Sequence, residues 1–187
     1  MNPTTAPSPA HDAGPTPRRR RWTTRMSSSL GAFGMTAALG LAGAGTLAPM
    51  MCSPAAAPAP STQQQVVDLA NQQRAAAGLP ALTVNGSLTY AAQAHANDQA
   101  ARGWMSHVGS DGSDAGTRMV RSGYNVRNWG ENVAVGYTSP SDVVSAWMAS
   151  PGHRANILSG AYREIGVAVS HSTNGTAYWT MTLGSSW

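Results

Sequence analysis

At 187 residues the chain is long enough for one domain with a proper core and too short for two of ordinary size. Only 11% of its residues are charged, and all twelve basic ones are arginine. The formal charge of +4 sits in the wrong place for a nucleic-acid binder. Arg18, Arg19, Arg20, Arg21 and Arg25 lie near the N-terminus with Asp12, which leaves seven arginines against seven acids in the rest. A nucleic-acid reader carries its excess charge on the folded domain, so that class is excluded.

Residues 1–58 read as a targeting segment and Pro/Ala-rich linker, and 59–187 as the domain. The arginine run is followed by an apolar stretch from Leu30 to Leu47, by the A-x-A site Ala55-Ala56-Ala57, and by the extended Pro58-Ala59-Pro60. The stretch is about as long as the shortest membrane span. Its glycines and the alanine site behind it favour cleavage, so no stable span is expected after processing. Arg19-Arg20-Arg21-Trp22 is a partial twin-arginine pattern that does not fix the export route. Cys52 is the only cysteine, and Pro49 and Met51 stand where a lipid-acceptor motif wants small or aliphatic residues. Cleavage after Ala57 leaves neither disulfides nor a thiol nucleophile.

Ser61 or Thr62 can cap a first helix to about Ala77, with Val66, Leu69, Ala70 and Gln73 at the helical period and Gly78 as its stop. Asn85 or Ser87 starts a second helix through about Arg102, stopped by Gly103. Its stripe of Leu88, Ala91, Ala92 and His95 is so alanine-rich that its neighbours must come close to bury anything. His95 on that stripe is read as a satisfied core histidine rather than a ligand. The loop Gly109-Ser110-Asp111-Gly112-Ser113 is suggestive of calcium, but Ser122 occupies the place of the EF-hand glutamate, so it is read as turn chemistry.

A short helix from Asp114 to Ser122 follows, then a short buried strand over Asn132–Val135. Thr138 or Ser139 caps the next helix, Pro140 opens it, and Val143, Val144 and Trp147 point inward. Pro151 ends that helix at Ser150, and Ser150 is expected to cap a new one. Ile165–Ser170 and Tyr178–Leu183 are alternating strands joined across Asn174-Gly175. The order of elements predicts an α+β fold with helices on an antiparallel sheet.

No H-E-x-x-H, G-x-S-x-G or phosphate-binding glycine loop occurs. What remains is His107, Glu131 and His153, three candidate divalent-metal ligands from three segments. His153 falls in the first turn of its helix, where imidazolium is disfavoured and the metal-binding neutral form favoured. Glu131, between Trp129-Gly130 and an apolar strand, should be partly buried and needs a donor. The competitors for it are Arg118, Arg121 and Arg127, and a pair with any of them would be a structural answer.

Five blocks carry a resemblance: Asn71-x-x-Arg74 with Gly78-Leu79-Pro80-x-Leu82, Ala91-Ala92-Gln93-x-His95-Ala96, Ser106-His107, Gly130-Glu131-Asn132, and Trp147-x-x-Ser150-Pro151-Gly152-His153-Arg154-x-Asn156-Ile157-Leu158. In this order they resemble the CAP superfamily of cysteine-rich secretory proteins, antigen 5 and type 1 pathogenesis-related proteins, in its cysteine-free bacterial, SCP-like branch. The resemblance covers about Thr62 to Trp187. It implies a three-layer α-β-α sandwich around a central antiparallel sheet, and a cleft that holds two His and two Glu and in some members zinc. His107 matches the first His, Glu131 the Glu of the G-E-N block, and His153 is the candidate second His. Ser150 stands where the second Glu is usual, so the set is incomplete.

Three functions are open at this point. One is an exported module binding a small ligand (divalent metal, lipid or peptide) in the His/Glu cleft. Another is a zinc-assisted hydrolase with His107 and His153 as ligands and Glu131 as base, which is short of ligands or of a base whichever role Glu131 takes. The third is a cell-wall-associated structural or secretion-stress domain with a residual cleft, and a monomer is expected in every case. Binding is favoured over catalysis. Whichever holds, the secreted protein is predicted to begin near Pro58 without lipid. Intact mass of protein from culture medium checks this, and a species that keeps Cys52 with added acyl mass would overturn it.

Overall fold

The structure, a computed structural model, describes residues 59–187. The expected leader lies outside the described residues. The elements are α1 (Thr62–Ala76), β1 (Thr83–Val84), α2 (Gly86–Arg102), α3 (Ala115–Arg121), β2 (Val126–Val135), α4 (Pro140–Ala149), α5 (Pro151–Ile157), β3 (Glu164–His171) and β4 (Ala177–Ser186). Among the described residues no helix is long and apolar enough to cross a membrane.

Side-chain caps set four of the five helix starts. Ser61 accepts from the Gln64 N–H, Asn85 from Ser87 and Leu88, Asp114 from Thr117, and Ser139 from Asp142. The fifth departs from expectation. Ser150 makes no side-chain cap bond, and only its carbonyl accepts, from the Arg154 N–H at 2.9 Å. Pro151 holds Ser150 in the extended geometry of a cap, as Pro140 does Ser139, yet only the Ser139 hydroxyl makes the cap bond. Gly103 ends α2 at φ +65°, as its position in the sequence requires.

The sheet runs β1-β3-β4-β2. β3 and β4 pair antiparallel through the turn at Asn174-Gly175, and β2 pairs antiparallel with β4. Two features differ from the sequence reading. The edge strand β1 pairs parallel with β3, so the sheet is mixed rather than wholly antiparallel. At two residues it is too short to leave a periodic signal. β2 also starts at Val126 rather than Asn132, because its polar first half is held by the ladder to β4 rather than by its own pattern.

The two faces of the sheet differ in side-chain size. Ile165, Val167, Trp179, Met181 and Leu183 meet Val66 and Ala70 of α1, Val143, Val144 and Trp147 of α4, and Ile157 of α5. The opposite face carries Gly166, Ala168, Thr180, Thr182 and Gly184, and α2 lies directly upon it. A Cβ on Gly166 would fall 2.2 Å from the carbonyl carbon of Leu88. Thr182 Oγ1 donates to the Leu88 carbonyl at 2.9 Å, and Gln99 Nε2 donates to Thr180 Oγ1 at 3.0 Å. Two helix layers thus enclose one sheet, an α-β-α sandwich.

Side chains clamp backbone where no disulfide does. Asn71 pairs with both backbone groups of Leu82, and the wholly buried Arg74 donates to the carbonyls of Pro80, Ile157, Ser159 and Tyr162. Burial foremost, and then Arg163, lowers the Arg74 pKa.

Trp147 is 1% exposed and donates its indole N–H to the Val133 carbonyl. Trp147→Ala is expected to cost about 3–5 kcal/mol in chemical denaturation, and a loss below about 1 kcal/mol would contradict this packing. Gly166→Ala places a methyl against helix backbone that cannot yield. It is expected to cost about 3 kcal/mol or more in the same measurement, and a near-neutral result would show that α2 is free to lift.

Candidate functional site

The loop between α2 and α3 has no regular structure, yet its backbone is tied down at several points. Ser106 N–H donates to Gln99 Oε1, and Arg118 donates to the carbonyls of Ser113 at 2.7 Å and His107 at 3.1 Å. Asp111 closes the tip by accepting from the Ser113 N–H and hydroxyl, with Gly112 at φ +79°. This is the turn chemistry expected for 109–113.

Glu131 lies within β2 opposite Thr182, which directs its side chain to the α2 side of the sheet. Its carboxyl group is 2% exposed. Oε2 accepts from Arg118 Nη2 at 2.7 Å, and Oε1 lies 2.9 Å from His107 Nδ1. A carboxylate only accepts, so His107 Nδ1 donates and its Nε2 is turned away from Glu131. The His107 side chain is 57% exposed. Of the three competing arginines only Arg118 reaches Glu131. Arg121 pairs with Asp111, and Arg127 lies over the Trp187 ring at 5.2 Å.

His95 is a residue that the sequence reading undervalued. Its Nε2 lies 2.7 Å from the Ser106 carbonyl, so it donates there, and 3.9 Å from Glu131 Oε1. Its Nδ1 is buried without a hydrogen-bond partner. His95 is therefore core, as expected, but not satisfied. Burial lowers its pKa, against the opposing pull of Glu131, so the ring is neutral.

His153 enters from the other helix layer. Asn132 Nδ2 donates to its carbonyl at 3.0 Å, and Asn156 Nδ2 donates to the carbonyl of Glu131 and to Asn132 Oδ1. These asparagines fasten α5 to β2 beside Glu131. Both lie in the motif blocks, but apolar periodicity gives no hint of them. The half-buried His153 ring lines a cavity of about 270 Å³ with Met105, Val133, Tyr137, Trp147 and Ser150. Burial first, and the charge of His107 second, lower its pKa. The sequence places the cause in the helix end; in the structure it is burial and His107.

The structure therefore joins His107 to Glu131 directly, while no hydrogen bond among the described residues links the His153 ring to either. Nor do three or more His, Cys, Asp or Glu side chains among the described residues form a group able to hold a metal ion. The Glu131 carboxylate behind His107 is engaged on both oxygens, by His107 and by Arg118.

Residues 67–183 match the model of the cysteine-rich secretory protein family, CAP. The chain is 34% identical over 110 residues to the uncharacterized protein YkwD of Bacillus subtilis (strain 168), a match covering 59% of this chain and 43% of that protein. An extracellular protein containing a SCP domain from Bacillus anthracis str. Ames is structurally similar with a TM-score of 0.59 at 25% identity, covering 66% of this chain and 40% of that one. An outer surface protein from Borrelia burgdorferi has the same fold, with a TM-score of 0.63 at 18% identity over 68% of this chain and 97% of that one. The matched region spans less than half the length of YkwD and of the Bacillus anthracis protein. With 67–183 matched and the α-β-α fold in place, the chain belongs to the cysteine-rich secretory protein family in its bacterial, SCP-like form.

Proposed function

We propose that the protein is an exported binding domain whose cleft takes a small ligand through His107 and His153. The observation that carries this reading is the Glu131 carboxylate, each of whose oxygens already holds a partner. An engaged, buried carboxylate cannot serve as a general base without losing Arg118 or His107. It does what carboxylates behind metal-binding imidazoles do: it fixes the tautomer and turns the other ring nitrogen outward.

The donor set fits a divalent metal only in an open form. His107 Nε2 and His153 are the residues that would hold zinc, and Glu131 orients rather than ligates. Two imidazoles fall short of the four donors of a structural zinc site, so the remaining positions belong to water or to the ligand itself. Bound zinc would supply a Lewis-acid contact to a carbonyl, carboxylate or phosphate oxygen of that ligand. The apolar wall of Met105, Val133, Tyr137 and Trp147 beside His153 suits a short hydrocarbon portion of a lipid or peptide. Secretion follows from the leader-like segment and fits the extracellular and outer-surface settings named for the structural relatives.

Calorimetric zinc titration tests the reading. His107→Ala and His153→Ala are each expected to weaken zinc binding at least about tenfold while leaving the fold intact. Glu131→Gln should weaken it by a similar factor and also destabilise the fold by roughly 3 kcal/mol, because Arg118 is left buried without its counter-charge. Zinc affinity should fall as pH drops to where His153 takes up a proton, a range that burial sets below the ordinary imidazole one. If the parent protein takes up no zinc, or the two histidine variants bind it as well as the parent, the imidazole site is refuted.

A further inference from the structure

A second cavity, about 420 Å³, shares no lining residue with the one beside His153. It lies between α2 and the 109–113 loop, with α3 at its end. Tyr90, Ala94 and Asp98 line it from successive turns of α2, at i, i+4 and i+8. Tyr90 is 69% exposed, so most of its side chain faces solvent. The methyl of Ala94 leaves a gap between that ring and the Asp98 carboxylate.

The charges in this wall are balanced and already paired. Asp98 accepts from Arg102 at 2.6 Å and from the Ser110 N–H at 3.0 Å. Asp111 pairs with Arg121 and with Ser113, and Arg118 is engaged by Glu131. Bonds from Ser110 and Arg102 outweigh burial and keep the Asp98 carboxyl ionised below its ordinary range. No net charge is left to select an ion. The wall instead offers carboxylate and hydroxyl oxygens with spare lone pairs. It also contains His95, whose Nδ1 is the one buried side-chain polar atom among the described residues without a partner. An occupant that suits such a wall is uncharged, carries several O–H donors, and has one flat apolar face for the tyrosine.

We propose that this cavity is a second ligand site that takes an uncharged sugar ring, stacked on Tyr90 with hydroxyls donated to Asp98 and Asp111. The volume falls within the range of small-molecule sites, and the ion pairs hold the acceptors in place before the ligand arrives. The site stands apart from the zinc reading, since neither His107 nor His153 lines it.

The test is an NMR titration of the full chain with glucose, N-acetylglucosamine and mannose in turn, with inorganic phosphate as a separate arm. At least one sugar is expected to shift amides of residues 90–98 and 109–113, and phosphate to leave them in place. Tyr90→Ala should weaken the sugar about three- to tenfold, the factor an aromatic contact contributes, while leaving zinc binding unchanged. Ala94→Trp should fill the gap and abolish the shifts. Both positions are exposed, so unchanged resonances elsewhere report an intact fold. Silence with every sugar up to about 100 mM overturns the proposal, since weaker binding than this is not specific. So does a phosphate-only response, or a Tyr90→Ala variant that binds sugar as tightly as the parent.

Discussion

Arg118 holds together the parts of this domain that have no regular structure of their own. One guanidinium neutralises the buried Glu131 carboxylate and donates to the carbonyls of His107 and Ser113, two points of the loop between α2 and α3. Two charges taken out of water are of uncertain net benefit to stability, but once buried they constrain each other tightly. Strand β2, helix α3 and the loop are therefore fixed by a single ion pair. His107 inherits its direction from that pair, because its Nδ1 has a rigid acceptor and its ring has little choice of tautomer.

The same economy runs through the rest of the sandwich. No cysteine lies in 59–187, and the work that crosslinks do elsewhere falls to amide and guanidinium groups aimed at main chain. Asn71 and Arg74 sew α1 to the segments after it, and Asn132 and Asn156 sew α5 to β2. Each of these bonds is modest alone, about 1 kcal/mol. Their value lies in position, since they tie segments distant in sequence around the cleft.

Much of the fold was legible in the sequence because its signals were local. The caps at Ser61, Asn85, Asp114 and Ser139, the glycine stop at Gly103 and the hairpin at Asn174-Gly175 all declare themselves within a few residues. What escaped were features made by pairing at a distance. β1 has only two residues, and Val126–Glu131 is strand because β4 lies beside it. In the site, His107, Glu131 and His153 were legible as a set of three, of which the structure hydrogen-bonds the first two, and Arg118 only as one of three arginines. The sequence contains no rule that ranks Arg118 above Arg121 or Arg127; the helix phase of α3 and the pull of Asp111 and Trp187 on the other two make that choice. His95 was assigned correctly to the core, yet its missing partner depends on which atoms the packing leaves opposite Nδ1.

The contact of α2 with Gly166 bears on where this protein is able to move. Two backbones pressed together without a side chain between them act as a stop rather than a bearing, since interiors packed this densely do not slide continuously. Helix α2 and strand β3 then form a single rigid plate. On the other side of the sheet α4 and α5 meet at the Ser150–Pro151 joint, the one helix start among the described residues without a side-chain cap. That joint lies next to His153, and Asn132 and Asn156 tie the helix after it back to β2.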